Sequence, residues 1–129
     1  MKFLGIDYGT KRVGLAVSDS NNTLAFPRSV LSNTKNLIDE IKTIYEKEDI
    51  AGIVIGESFN FKGEPNPLMK DIEIFIEKIK KEIDTPIYLE PEFLTSHQAQ
   101  QIQGKNKMLD ASAAAIILQS FLDKKRASK

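Results

Sequence analysis

Apolar residues in the first part of the chain come as short unbroken runs, Phe3-Leu4-Gly5-Ile6 and then Val13-Gly14-Leu15-Ala16-Val17. Runs of that length without alternation belong to strands covered on both faces. Gly9-Thr10-Lys11-Arg12 lies between them with turn chemistry, so the pair predicts an antiparallel hairpin. Asn21-Asn22 marks a second turn, and Thr23 to Arg28 reads as a third strand. From Asn33 the spacing becomes helical, with Leu37, Ile38, Ile41, Ile44 and Tyr45 on one face, Asn33 or Thr34 as N-cap, and an end near Glu48. Ile50 to Ile55, closed by Gly56, predicts a buried strand, and Glu57 to Pro67 a loop. Leu68, Met69, Ile72, Phe75, Ile76, Ile79 and Ile83 mark a second amphipathic helix whose Lys/Glu-rich face is solvated. Pro86-Ile87-Tyr88-Leu89 reads as a strand ending in Glu90-Pro91-Glu92, and Thr95-Ser96 caps a short helix through Gln103 that Gly104 breaks. The Ala-rich segment Asp110 to Leu122 predicts a last helix that turns Ala113, Ala114, Ile117, Leu118 and Phe121 to the core. Lys124-Lys125-Arg126 follows, where positive charge suits the helix dipole.

Three strands, then helix, strand, helix, strand and helices predict an α/β fold: a mixed five-stranded sheet, its first three strands antiparallel, flanked by helices. A length of 129 residues corresponds to a single domain spanning 1–129. Composition narrows the chemistry more than the fold. Cysteine is absent, which excludes thiolate metal sites and cysteine nucleophiles, and one histidine, His97, excludes a multi-histidine zinc site. His97 itself reads as a surface or cap residue, and Tyr8 and Phe61 as local packing rather than base-stacking groups. Lys plus Arg balance Asp plus Glu at 18 each, so any nucleic-acid binding has to come from local clustering. No apolar run approaches the roughly 20 residues of a membrane span and no signal-peptide core follows Met1, so a cytoplasmic location is expected.

Three acids stand at the edges of apolar segments: Asp7 after the first strand, Glu92 after the last, and Asp110 at the start of the final helix. Each has an ordinary local reading, as an Asx-turn, a solvated loop acid and a helix-N-terminal acid. Taken jointly they differ, because strand ends in a parallel arrangement lie side by side along one crevice. Carboxylates gathered there repel one another unless a cation neutralises them, and hard oxygen donors suit Mg²⁺ or Mn²⁺. Such ions activate water and stabilise the leaving oxygen of a phosphodiester. Lys11 and Arg12 in the first turn, with Thr10 beside them as a further substrate contact, and Lys105 and Lys107 just before Asp110, supply a basic rim for flanking phosphates, against the plain alternative that turn lysines are merely solvated.

The run Gly5-Ile6-Asp7-Tyr8-Gly9-Thr10-Lys11-Arg12-Val13-Gly14-Leu15-Ala16-Val17-Ser18-Asp19 resembles the opening motif of the YqgF family of RNase H-like nucleases. Ile53-Val54-Ile55-Gly56 with Asn60 and Gly63, Glu92 with Leu94-Thr95-Ser96 and Ala99, and Asp110 with Ala113-Ala114, Ile117-Leu118 and Leu122 are similar to its later blocks, in the same order. The resemblance implies an RNase H-like fold and a divalent-metal site on Asp7, Glu92 and Asp110. It implies a nuclease trimming the 5′ end of pre-16S rRNA, or a Holliday junction resolvase acting on branched DNA. Its partner would be nucleic acid, structured RNA or four-way DNA, with the protein a monomer or homodimer and no membrane involved. The chain departs from the family at Pro91-Glu92-Phe93, where Asp-Glu-Arg is usual, and at Gly56-Glu57-Ser58, where Gly-Leu-Pro is usual. These departures leave two questions, Glu90 against Glu92 as ligand, and Glu57 as fourth ligand or, the favoured reading, surface residue. Two other functions stay open: a nucleic-acid-binding module without turnover, and an ATP-binding module, since Asp7-Tyr8-Gly9-Thr10 also resembles the first phosphate hairpin of the actin and sugar-kinase superfamily.

Overall fold

The computed structural model describes residues 2–59, 68–93 and 107–127, with side chains except at 58–59, 92–93, 107–111 and 126–127. The elements are β1 (Lys2–Tyr8), β2 (Arg12–Ser18), β3 (Ala25–Ser32), α1 (Leu37–Lys47), β4 (Ile50–Phe59), α2 (Leu68–Glu82), β5 (Ile87–Phe93) and α3 (Lys107–Ala127). The strands form one sheet in the order β3-β2-β1-β4-β5, antiparallel across β1, β2 and β3 and parallel from β1 to β4 to β5. This is the mixed sheet expected from the pattern. The expected helix between Thr95 and Gln103 lies outside the described residues, as do Phe61 and His97.

The sheet is covered on both faces, which is why its strands read as apolar runs. Leu4, Ile6, Leu15, Ile53 and Ile55 pack with Leu37, Ile41 and Ile44 of α1 and Ile72, Phe75 and Ile79 of α2. On the other face Phe3, Ala16 and Val54 pack with Ala114, Ile117, Leu118 and Leu122 of α3. Alternation within β1 therefore sends Leu4, Ile6 and Tyr8 to the two-helix face and Phe3, Gly5 and Asp7 to the α3 face. Gly5 makes the second packing possible: a Cβ there would sit 2.8 Å from the Leu118 Cβ and 3.0 Å from the Ala114 carbonyl oxygen.

Several boundaries differ from expectation for local reasons. Asn36, not Asn33 or Thr34, is the N-cap of α1, and its side chain makes no capping bond. Helix α1 ends against Asp49, which adopts a left-handed φ of 55° where glycine is the common choice. Strand β3 begins at Ala25 because Asp19 holds the preceding turn, accepting from the Thr23 and Leu24 amides and the Thr23 hydroxyl. Those donors hold the Asp19 carboxyl below its ordinary value, the Thr23 amide contributing most. Strands β4 and β5 both run further than predicted, pairing through Ser58↔Glu92 and Phe59↔Phe93.

The two outer strands are each protected. Both contain a proline, Pro27 in β3 and Pro91 in β5. At the start of β3 the Gln119 side chain of α3 accepts from the Ala25 amide at 2.9 Å and donates to the Thr23 carbonyl at 2.9 Å.

Candidate nuclease site at the strand ends

The first candidate acid is fixed by a braced hairpin. Asp7 pairs with Gly14 across β1 and β2 and is half-buried, and Tyr8, one residue on, packs against Phe75 with ring centroids 4.7 Å apart. The packing reading of Tyr8 thus holds. The turn that follows closes tightly: a Cβ on Gly9 would lie 2.5 Å from the Arg12 carbonyl oxygen, so this position admits only glycine. Asn33 then pins the turn from the end of β3. Its side-chain amide donates to the Gly9 carbonyl at 2.8 Å, and its backbone N–H donates to the Lys11 carbonyl at 2.9 Å. Thr10, Lys11 and Arg12 are exposed on this fixed turn, one step from Asp7.

Register aligns the strand ends. Ile6 pairs with Ile55, so Asp7 comes level with Gly56, and Gly56 pairs in turn with Glu90. Alternation places positions 90 and 92 of β5 on the same sheet face as Asp7, with the side-chain-free Gly56 between the strands. Glu57 falls on the opposite face with Ile53 and Ile55, which separates it from Asp7, and it is half-buried there.

Glu90 is engaged elsewhere. It is 4% exposed, accepts from the Ser120 hydroxyl at 2.8 Å, and pairs with the Lys124 ammonium at 2.6 Å. A carboxylate buried to that degree is tolerable only with such partners. Sequence reasoning did not find Ser120 and Lys124. The available signal was their i, i+4 spacing in an otherwise apolar helix, the spacing that puts two side chains on one face.

Helix α3 runs antiparallel to β1. Phe3 meets Phe121 at 5.5 Å between centroids, whereas Gly5 lies against Leu118 and Ala114, so moving forward along β1 means moving back along α3. Two residues of strand cover about 6.6 Å and four of helix about 6 Å, which brings the backbone segment 110–114 level with position 7. Position 110 also belongs to the stripe of Ala114 and Leu118 at successive i, i+4 steps. The side chains of Glu92, Lys107 and Asp110 lie outside the described set, and Lys105 lies outside the described residues altogether. Among the described residues no three His, Cys, Asp or Glu side chains form a metal-holding group, and no helix is long and apolar enough to cross a membrane.

A family model described as "RuvX: Holliday junction resolvase" matches residues 1–124. The chain belongs to the RuvX family. Curated relatives agree in length as well as sequence. A protein of Nitratidesulfovibrio vulgaris is 35% identical over 95% of this chain and 94% of its own. One from Maridesulfovibrio salexigens is 36% identical over 95% and 98%, and both carry the name "Putative pre-16S rRNA nuclease". The resemblance read from the Gly5–Asp19 motif is therefore borne out. Solved structures extend the fold comparison: Thermus thermophilus RuvC in complex with a Holliday junction substrate aligns at a TM-score of 0.62, with 16% identity over 98% of this chain and 96% of that one. The fowlpox virus Holliday junction resolvase aligns at 0.59, with 16% identity over 96% and 99%. At such identity these two show that the RuvX chain has the RuvC-like RNase H fold.

Proposed function

We propose that this RuvX-family protein is a divalent-metal-dependent nuclease that hydrolyses nucleic-acid phosphodiesters and trims the 5′ end of pre-16S rRNA in the cytoplasm, with Asp7, Glu92 and Asp110 as the metal-holding acids. One observation supports the reading: Asp7, on a braced strand end, is level through Gly56 with Glu90, two residues before Glu92 on the same face of β5, and with the segment 110–114 through the antiparallel course of α3. Three carboxylates are the hard-oxygen donor set that Mg²⁺ or Mn²⁺ accepts, so the residue types fit the group. When bound, the ion supplies charge stabilisation at the phosphoryl group and a more acidic water. The chain's own part is positioning. Strand pairing on both sides fixes Asp7, and the pinned turn holds the Lys11 and Arg12 cations where flanking phosphates would lie. Lys105 and Lys107 would complete that rim from the start of α3.

The RNA assignment follows the names of relatives that match this chain over nearly its full length. A second reading, cleavage of four-way DNA junctions, is favoured by the family description and by the fold shared with RuvC. Both substrates belong in one assay with Mg²⁺ or Mn²⁺. Asp7→Asn should lower cleavage of the preferred substrate by about 10³-fold, the loss of several kcal/mol of transition-state stabilisation. Equal cleavage by parent and variant would overturn the site, and preference for the junction over a pre-16S rRNA fragment would select the second reading.

A further inference from the structure

Among the described residues, strand β5, which carries Glu92, is an edge strand paired with β4 alone. An acid assigned a place beside Asp7 thus sits on an outer strand of the sheet. A further restraint comes from α3. Glu90, two residues before Glu92, is buried and bound by Ser120 at 2.8 Å and Lys124 at 2.6 Å, both on the helix that begins with the segment containing Asp110. Above this link Tyr88 packs on Phe121 at 5.0 Å and Phe121 packs on Phe3 at 5.5 Å, so the aromatic contacts tie β5, α3 and β1 together.

We infer that Glu90, with Ser120 and Lys124, is a positioning clamp that sets the spacing between the β5 acid and the α3 acid and so tunes metal affinity. The inference rests on the metal reading above and deepens it. The physical case lies in the asymmetry of the pair. Glu90 is almost wholly inaccessible while the Lys124 side chain stays 64% exposed, so the buried carboxylate depends on a cation that reaches it from the solvent side. Among the described residues, either partner's removal leaves the β4 ladder as the remaining polar support of this edge strand near Glu92. No contact between Glu90 and the reacting groups is required, so the clamp acts through the ligand positions.

The test is Mn²⁺ binding to the full chain, followed by calorimetry and by the electron paramagnetic resonance of free Mn²⁺, with cleavage measured in parallel. Glu90→Gln retains a partner for Ser120 but discards the charge, and Lys124→Met leaves the buried carboxylate to Ser120 alone, so urea unfolding is measured beside both. Each should weaken Mn²⁺ binding by roughly tenfold, the lower end of what outer-shell supports contribute, with cleavage recovering at saturating metal. Lys124→Arg should restore affinity near that of the parent. Glu48→Gln, which breaks a comparable ion pair at the far end of the sheet, should leave Mn²⁺ affinity unchanged and so separates positioning from general loosening. Parent-like Mn²⁺ affinity in both Glu90→Gln and Lys124→Met, with Asp7→Asn defective, would overturn the clamp and leave the metal site standing. Failure of the parent to bind Mn²⁺ would overturn the metal reading and the clamp with it.

Discussion

Single atoms decide how close α3 can come to the sheet. At Gly5 the space for a Cβ is already filled by the Leu118 Cβ and the Ala114 carbonyl, neither of which is the flexible end of a side chain. Gly5→Ala should therefore destabilise the protein by about 1–3 kcal/mol, the ordinary cost of overpacking, read from the midpoint of urea unfolding. Adding Leu118→Ala should give no relief, because alanine retains the offending Cβ. An unchanged midpoint in Gly5→Ala would mean that the helix does not sit as described. Glu48 gives a second residue-scale prediction. It accepts from Arg28 at 2.9 Å and Lys2 at 3.4 Å, and the Arg28 bond, followed by that from Lys2, holds its carboxyl below the ordinary value of 4.5. A group depressed on folding contributes stability above its unfolded value and loses it as the pH falls through the folded one. The difference between parent and Glu48→Gln should then be about 0.5–1 kcal/mol at neutral pH, as for a partly exposed pair, and should shrink steadily below pH 4.5. A difference that persisted undiminished into strong acid would contradict the assignment.

Among the elements, the hairpin of β1 and β2 combines a rigid turn with an exposed basic tip. If Lys11 and Arg12 hold phosphates, each replacement by alanine should reduce the slope of log binding constant against log salt by about 0.7–0.9, the release of one counterion per phosphate lost. The measurement is fluorescence anisotropy across a salt series in an Asp7→Asn background. Unchanged slopes would return both residues to plain solvation. This element also shows what a sequence can and cannot display. The apolar runs of β1 and β2 were legible because both faces of the sheet are covered, and Asp7 was legible because it interrupts such a run. Asn33 was read as a helix cap because residue type and position suit one, yet its amide serves the Gly9 carbonyl 24 residues earlier in the chain. The continuation of β5 through Glu90-Pro91-Glu92 was hidden for the same reason. An acid and a proline look like a strand's end until Lys124, 34 residues away, neutralises the one and the edge position admits the other. Partners remote in sequence leave no local periodicity to read.

For the molecule as a whole, order of elements was legible and contact detail was not. Alternation of strand and helix after the opening meander is enough to require parallel neighbours, and the family motif adds the RNase H-like frame. The balance of 18 cations against 18 anions means that attraction to nucleic acid has to come from where charge sits, and in the proposed function the hairpin tip and the start of α3 would supply it.

Among the described residues the sheet has two outer strands, β3 and β5, and both are treated in the same way. Pro27 and Pro91 each remove an amide from the outermost strand, and Gln119 occupies the backbone at the entrance to β3 with a side-chain amide that imitates a peptide group. Phe26, 49% exposed beside Pro27, would otherwise offer a sticky template for a neighbouring chain. The rims are thus defended against fibril-like stacking, and replacing Pro27 and Gln119 together should cost colloidal stability at high protein concentration well before it costs cleavage.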